Sequence, residues 1–312
     1  MTRAVVAGEV LAVFLGEPDV PLEESVTFSR GFAGAESNTA VGLARQGLAV
    51  TMLGRVGADA LGRAAVRALR GEGIDVSHLR VDEEAPTGIL VRNASPTGVE
   101  VVYGRRQSAG TRFEPGDVPA EAFEGCDVFH VSGITPMLSS SAAAATLECC
   151  RLARSAGAVI SVDPNVRRRI APLEVWREGL VPFLELADLV LAGRDEALDL
   201  AGTGASEDAV AVLRPKGTEL LVLKDGARGA SAYDGRRWTT CDAVPTQVVD
   251  PVGAGDGFDA GFLAAWTAGA GLAEALHRGA LVGAMSVAAR GDTAGIRSAE
   301  LDRPSETIDV IR

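Results

Sequence analysis

Val249-Asp250-Pro251-Val252-Gly253-Ala254-Gly255-Asp256-Gly257-Phe258 is the stretch on which the reading of this chain turns. It follows a strand-like region and opens a helix whose apolar positions Phe258, Phe262, Ala265 and Trp266 fall on one face. The small residues Gly253, Ala254 and Gly255 let the backbone pass very close to a ligand, with N–H groups aimed from a helix N-terminus. Such an arrangement binds anions through donors and dipole together. Asp256 then stands beside the anion, able to accept a proton from an attacking hydroxyl. The pair suits phosphoryl transfer: donors stabilise charge on the transferred group while a carboxylate aligns the nucleophile. An aspartate N-cap on a glycine-rich turn gives a similar pattern. A cap, however, needs neither Asp250 nor three small residues ahead of it. The stretch is not a Walker A loop, since no G-x-x-x-x-G-K-[ST] occurs in the chain. Nor is it a dinucleotide fingerprint, because Phe258 stands where the third glycine would be.

Outward from this loop, strand-like and helix-like segments alternate. Residues 3–13 and 49–55 read as strands, and so do 127–131, 158–162, 188–191 and 219–224. Helices are expected at 35–46, from an Asp59 N-cap to about Glu72, and at 139–156, 173–186 and 206–214. The alternation implies βαβ units around a mostly parallel sheet covered by helices on both faces. Two stretches break the rhythm. Residues 14–33 carry Pro18 and Pro21 in extended surroundings. Residues 87–104 read as a hairpin, Thr87–Ala94 and Val99–Gly104, turning at Ser95-Pro96-Thr97-Gly98. Strands inserted without helices suggest a small sheet projecting from the body, of use as a lid or a dimer interface. One folded unit over 1–312 is expected, with lid strands at about 14–33 and 87–112.

A chain of 312 residues, 47% of them apolar, buries its own core and needs no disulfide or metal staple. The net charge of -12 argues against nucleic acid or an anionic membrane as a partner. Against it stand the basic clusters Arg105–Arg106 and Arg167–Arg168–Arg169, readable as solvated surface or as anion contacts. Cys126, Cys149, Cys150 and Cys241 form no C-x-x-C pair, and the adjacent pair falls in an Ala-rich helix where buried thiols are ordinary. A reduced, cytoplasmic compartment fits this usage. Ala4-Val5-Val6-Ala7-Gly8-Glu9 reads as an opening strand rather than a leader, and no apolar run reaches the length of a membrane span.

Asp250-Pro251-Val252-Gly253-Ala254-Gly255-Asp256 resembles the D-[TP]-x-G-A-G-D signature of ribokinase-like (PfkB-type) carbohydrate kinases. Gly34-Ala35-Glu36-Ser37-Asn38-Thr39-Ala40, with Gly47 and Gly54-Arg55-Val56-Gly57, resembles that family's N-terminal signature. Ser132-Gly133-Ile134-Thr135-Pro136, Asp163-Pro164-Asn165-Val166-Arg167 and Arg290-Gly291-Asp292 are similar to the branch acting on 2-keto-3-deoxygluconate. So are Tyr103-Gly104-Arg105 and Val222-Leu223-Lys224-Asp225-Gly226-Ala227-Arg228-Gly229. The resemblance implies an α/β, three-layer sandwich with a mostly parallel central sheet and a small β-sheet lid. It also implies an ATP-dependent sugar kinase using Mg²⁺, with a monovalent cation such as K⁺ as an optional activator and a dimer through the lid.

Residue by residue, the resemblance makes Asp256 the base and Gly253, Ala254 and Gly255 the anion hole. Gly34, Asn38, Tyr103, Arg105, Arg167 and Asp292 would meet the acceptor, the two arginines holding its carboxylate bidentately. Asn165, Arg167, Lys224, Gly226 and Gly229 would line the ATP site, although Lys224-Asp225-Gly226 also reads as an ordinary turn. Asn38 could equally satisfy buried backbone. Glu196 would organise Mg²⁺ through water, but Gly193 stands where the family carries asparagine. The related kinases have lid tyrosines where this chain has Leu90 and Gly104. A neutral ketose, ribose or nucleoside therefore stays open as acceptor, as does a sugar-sensing protein without turnover. A nicotinamide-dependent oxidoreductase is disfavoured, because no early Gly-x-Gly-x-x-Gly occurs.

Overall fold

In chain order the strands are β1 (Arg3–Ala7), β2 (Leu11–Leu15), β3 (Ser29–Ala33), β4 (Ala49–Gly57), β5 (Leu79–Asp82), β6 (Ile89–Ser95) and β7 (Gly98–Gly104). They continue with β8 (Val128–Ser132), β9 (Val159–Asp163), β10 (Leu189–Gly193), β11 (Leu220–Lys224), β12 (Ala230–Tyr233) and β13 (Trp238–Cys241). The helices are α1 (Ala35–Arg45), α2 (Ala60–Gly71), α3 (Ser140–Ala156), α4 (Leu173–Leu184), α5 (Arg194–Ala201), α6 (Ser206–Leu213), α7 (Ala254–Thr267) and α8 (Leu272–Val287). The computed structural model describes residues 1–299 apart from 96–97, 203, 205 and 215–217, so the expected turn residues Pro96 and Thr97 lie outside the described residues.

Nine strands form the large sheet, in the order β13-β12-β11-β10-β9-β8-β1-β4-β5. All pairs from β5 across to β11 are parallel, and the β11–β12–β13 end is antiparallel. A parallel sheet must be covered on both faces, which is why β1, β10 and β11 read as continuous aliphatic runs. In β1, Val5 and Ala7 pack on one side with residues of α3, α4, α5 and α6, such as Cys149, Trp176, Leu200 and Leu213. Ala4 and Val6 pack on the other with residues of α1, α2, α7 and α8, such as Leu43, Leu69, Phe262 and Leu276. Phe258 and Phe262 stack with ring centroids 6.3 Å apart inside that layer, while Ala265 and Trp266 pack at its edge, as the one-faced pattern predicts. Asp59 caps α2, its carboxylate accepting from Gly62 N at 2.8 Å. Cys149 and Cys150 are both buried free thiols.

The small sheet has the order β3-β2-β6-β7, with β2 parallel to β6 and the other pairs antiparallel. Leu11, Val13, Leu15, Ala33 and Leu90 form its own apolar cluster. The hairpin β6–β7 matches the expected one within two residues at each end. The expectation of one strand over 3–13 is overturned: β1 ends at Ala7, and β2 starts at Leu11 in a different sheet. The chain leaves the large sheet because Glu9 turns inward, where Ser108 Oγ donates to its carboxylate at 2.8 Å and Arg105 ion-pairs with it. Helix α5, the β12–β13 hairpin and helix α8 were not among the segments singled out in the sequence.

Candidate active site

Strands β9, β10 and β11 end side by side at Asp163, Gly193 and Lys224, and all three residues line one cleft of about 1120 Å³. Open parallel sheets keep their ligands at these carboxyl ends. One end of the cleft is walled by the small sheet through Leu11, Leu90 and Tyr103. The other runs past Gly226, Gly229 and Ala284. The loop Gly253-Ala254-Gly255 and Asp256 line the same cleft.

Gly253 caps α7 with φ 86°, a left-handed conformation that disfavours any side chain. A Cβ there would sit 2.2 Å from the carbonyl oxygen of Asp292, so the close approach also demands glycine. The first helical bond runs from Gly257 N to Gly253 O at 2.9 Å. The N–H groups of the first turn have no intrahelical acceptor, and Ala254, Gly255 and Asp256 line the cleft, as an anion site requires. Asp256 follows in that same turn, and only 9% of it is exposed.

Asn38 Nδ2 donates to Asp256 Oδ2 at 2.7 Å and lies 3.2 Å from Asp292 Oδ2. Burial pushes the Asp256 carboxyl up to about 7; the Asn38 hydrogen bond pulls down, the Asp163 charge pushes up, and Arg167 and Lys224 pull down. A carboxylate poised near neutrality is what a general base needs. Asn38 Oδ1 is buried and has no partner among the described residues, leaving an acceptor free at the cleft wall. Gly34 places this helix: a Cβ there would meet the carbonyl oxygen of Glu9 at 2.2 Å.

Every residue expected at the site from the sequence lines this cleft: Gly34, Asn38, Tyr103, Arg105, Asn165, Arg167, Glu196, Lys224, Gly226, Gly229 and Asp292 join the anion loop and Asp256. Their engagements differ from expectation in four places. Arg105 is not a free clamp, since it ion-pairs with the buried Glu9 and lies over the Tyr103 ring at 5.5 Å. Lys224 is occupied beneath the loop, its Nζ 2.9 Å from Asp163 Oδ2 and from Asp259 Oδ1. Glu196 spends both oxygens on backbone, accepting from Gly193 N at 2.7 Å and Val166 N at 2.9 Å. Burial, with the Asp163 charge added, pushes its carboxyl up to about 7. Asp292 is held by Arg92 and Asn38. Arg167, by contrast, is exposed; its guanidinium donates to the Val166 carbonyl at 3.3 Å and has no carboxylate partner among the described residues. Asn165 adopts φ 46°, its backbone N donating to Asp163 Oδ1 at 3.0 Å.

Four buried charges at or beside the site were not foreseen: Arg92, Glu9, Glu36 and Asp259. Glu36 Oε1 takes the hydroxyls of Ser132 and Thr135, each at 2.6 Å, and so ties α1 to the segment after β8. The signal for it was present, because Glu36 and Ser132–Pro136 both belong to stretches with family resemblance. Nothing local in the sequence marks Arg92.

Comparison with known proteins gives the family. The model of the pfkB family carbohydrate kinases matches residues 1–299. A 2-dehydro-3-deoxygluconokinase of Bacillus subtilis (strain 168) is 36% identical over 301 residues, covering 95% of this chain and 93% of its own. A second, from Thermoproteus tenax, is 32% identical over 303 residues, covering 96% and 92%. The crystal structure of a PfkB protein from Polaromonas sp. JS666 superposes with a TM-score of 0.85 at 33% identity, covering 97% and 99% of the two chains. The chain belongs to the pfkB family of carbohydrate kinases and is a sugar kinase of the ribokinase-like fold.

Proposed function

We propose that the chain transfers the γ-phosphoryl group of ATP to the terminal hydroxyl of 2-keto-3-deoxygluconate, with Asp256 as general base. The observation that carries this reading is the Asp256 carboxylate, buried in the cleft wall, oriented by Asn38 and pushed up to about 7 by burial. The acceptor lies against the small sheet, its hydroxyls within reach of Asn38 Oδ1, and its carboxylate is held by Arg167 with Tyr103 and Arg105 alongside. The nucleotide lies along Asn165, Gly226 and Gly229, its transferred group on the N–H groups of Gly253–Asp256. Asp256 takes the hydroxyl proton as the oxygen attacks in line. The small sheet acts as a lid, and excluding water there prevents hydrolysis of ATP.

Among the described residues no three His, Cys, Asp or Glu side chains converge to hold a metal ion, and Glu196 has both oxygens on backbone donors. This fits Mg²⁺ carried on the nucleotide phosphates and met by Glu196 only through water. Bound so, Mg²⁺ would neutralise charge developing on the phosphates. A monovalent activator would show as a fall in turnover when K⁺ is exchanged for a bulky quaternary ammonium ion in the assay.

A neutral ketose is the second reading, favoured by one observation: Glu9 already neutralises Arg105. An ADP-release assay with ATP–Mg²⁺ on 2-keto-3-deoxygluconate, its galactonate epimer, fructose, ribose and adenosine separates the two. Preference for the keto-deoxy acids supports the first reading; turnover on fructose alone sinks it. For an acid acceptor, Arg167→Ala should raise its KM by roughly 10–100-fold, the worth of a charged hydrogen bond, and leave the KM of ATP far less changed. Equal KM values in variant and wild type would remove the carboxylate from Arg167. Arg105→Ala should instead cost stability, because it strands the buried Glu9 without its counter-charge.

Val26, Phe28 and Val102 lie exposed on or beside the small sheet, which supports a dimer through this face. A chain-length mass in light scattering would refute it. Among the described residues no helix is long and apolar enough to cross a membrane, and all four cysteines are free, in keeping with a reducing cytoplasmic setting.

A further inference from the structure

Arg92 is 1% exposed and sits on β6 of the small sheet, two residues from Leu90 at the cleft wall. Its guanidinium spans two carboxylates, Nη1 lying 2.9 Å from Asp250 Oδ2 and Nη2 lying 2.5 Å from Asp292 Oδ1. Each carboxylate has a second duty. Asp250 accepts from Val252 N at 3.2 Å and from Gly291 N at 3.0 Å, fixing the entry to the anion loop and the start of the Asp292 segment. Asp292 Oδ2 takes Asn38 Nδ2, which also holds Asp256 Oδ2 at 2.7 Å. One guanidinium is therefore linked to Asp256 through two residues, Asp292 and Asn38, and to the loop through one, Asp250.

Burying such a group is weak grounds for stability, because an apolar side chain of similar volume often serves as well. Its geometry gives a better reason. We propose that Arg92 is a positioning residue for phosphoryl transfer, clamping Asp250 and Asp292 so that the small sheet, the anion loop and Asp256 keep one mutual alignment. The small sheet thereby does more than cover the acceptor: when it is seated, the clamp is made and the base points correctly.

The charged groups facing Asp256 are Asp163 and Lys224 from the ends of β9 and β11, Arg167 from the segment after β9, and Asp292 across Asn38. Removing the Arg92 charge leaves Asp292 uncompensated beside Asn38, and a like charge raises a neighbouring carboxyl.

The test measures Arg92→Lys and Arg92→Gln for kcat, both KM values, the acid limb of the pH profile and Tm. Both variants should lose on the order of 10²-fold in kcat, as a displaced catalytic group does, with the KM of ATP little changed. The acid limb should move to higher pH, further in Arg92→Gln than in Arg92→Lys. A lowered Tm with wild-type kcat and an unmoved limb would overturn the inference. Loss of the folded state in both variants would assign Arg92 to stability and overturn it equally. The inference rests on Asp256 being the base, so Asp256→Asn is assayed in parallel. Surviving turnover there sinks the base whatever the Arg92 variants do. A dead Asp256→Asn beside fully active Arg92 variants sinks only the clamp.

Discussion

Asp256→Asn should retain ATP binding and lose ~10²–10⁴-fold in kcat, the usual worth of a positioned general base. The substitution is nearly isosteric, so Asn38 keeps a partner and the first turn of α7 is undisturbed. What disappears is the group that accepts the proton. The pH dependence identifies it independently. Burial holds the Asp256 carboxyl up to about 7, and only the ionised form can act as base. Turnover in the wild type should therefore rise as pH increases through about 7 and flatten above it. In Asp256→Asn the residual rate should lack that limb. Stopped turnover with intact ATP binding, read by calorimetry, separates a chemical defect from a misfolded site. A variant that turns over normally would take the base role from Asp256.

Gly253→Ala should be almost as damaging, for a different reason. The left-handed backbone at φ 86° costs an alanine about 1–2 kcal/mol by itself. The added Cβ would also lie 2.2 Å from Asp292 O, a backbone atom that cannot swing aside. Relief requires the loop and the Asp292 segment to part, and those two carry the anion donors and half of the Arg92 clamp. Expected are a measurable fall in Tm and a loss of kcat on the order of 10²-fold from misplaced donors. Gly271→Ala is the fitting comparison, since a Cβ there meets nothing within 4 Å. Similar behaviour of the two variants would show that the close approach at Gly253 carries no functional weight.

The parts of this protein that can be read from the sequence are those where chemistry or period is local. The anion loop announces itself by three small residues before an aspartate, and α2 by an aspartate cap before an amphipathic run. The parallel strands show as aliphatic runs because both faces are covered. Illegible were features built from distant segments. The break at residues 8–10 inside an apolar run depends on Glu9 meeting Arg105 and Ser108, which are 96 and 99 residues away. Arg92 sits in the strand run Ile89-Leu90-Val91-Arg92-Asn93, which says nothing about Asp250 or Asp292. Lys224 was placed at the cleft correctly, but only the fold reveals that Asp163 and Asp259 already hold its ammonium. Residue types and order sufficed for the fold and for placing Asp256 at the cleft. Pairing of buried charges did not follow from them.

Asn38 and Asp256 are separated by 218 residues, yet they share a hydrogen bond, and the sheet that begins with β1 has one face that α7 and α8 help to cover. During synthesis at about 5–20 residues per second, the first strand and the acceptor wall emerge roughly 10–40 s before the base does. Until α7 and α8 emerge, Leu191, Val222 and Ala232 lack part of the cover that will bury them. The nascent chain thus passes through a stage with an uncovered apolar sheet and no capacity to split ATP. Chemistry and protection from aggregation arrive together, with the last two helices.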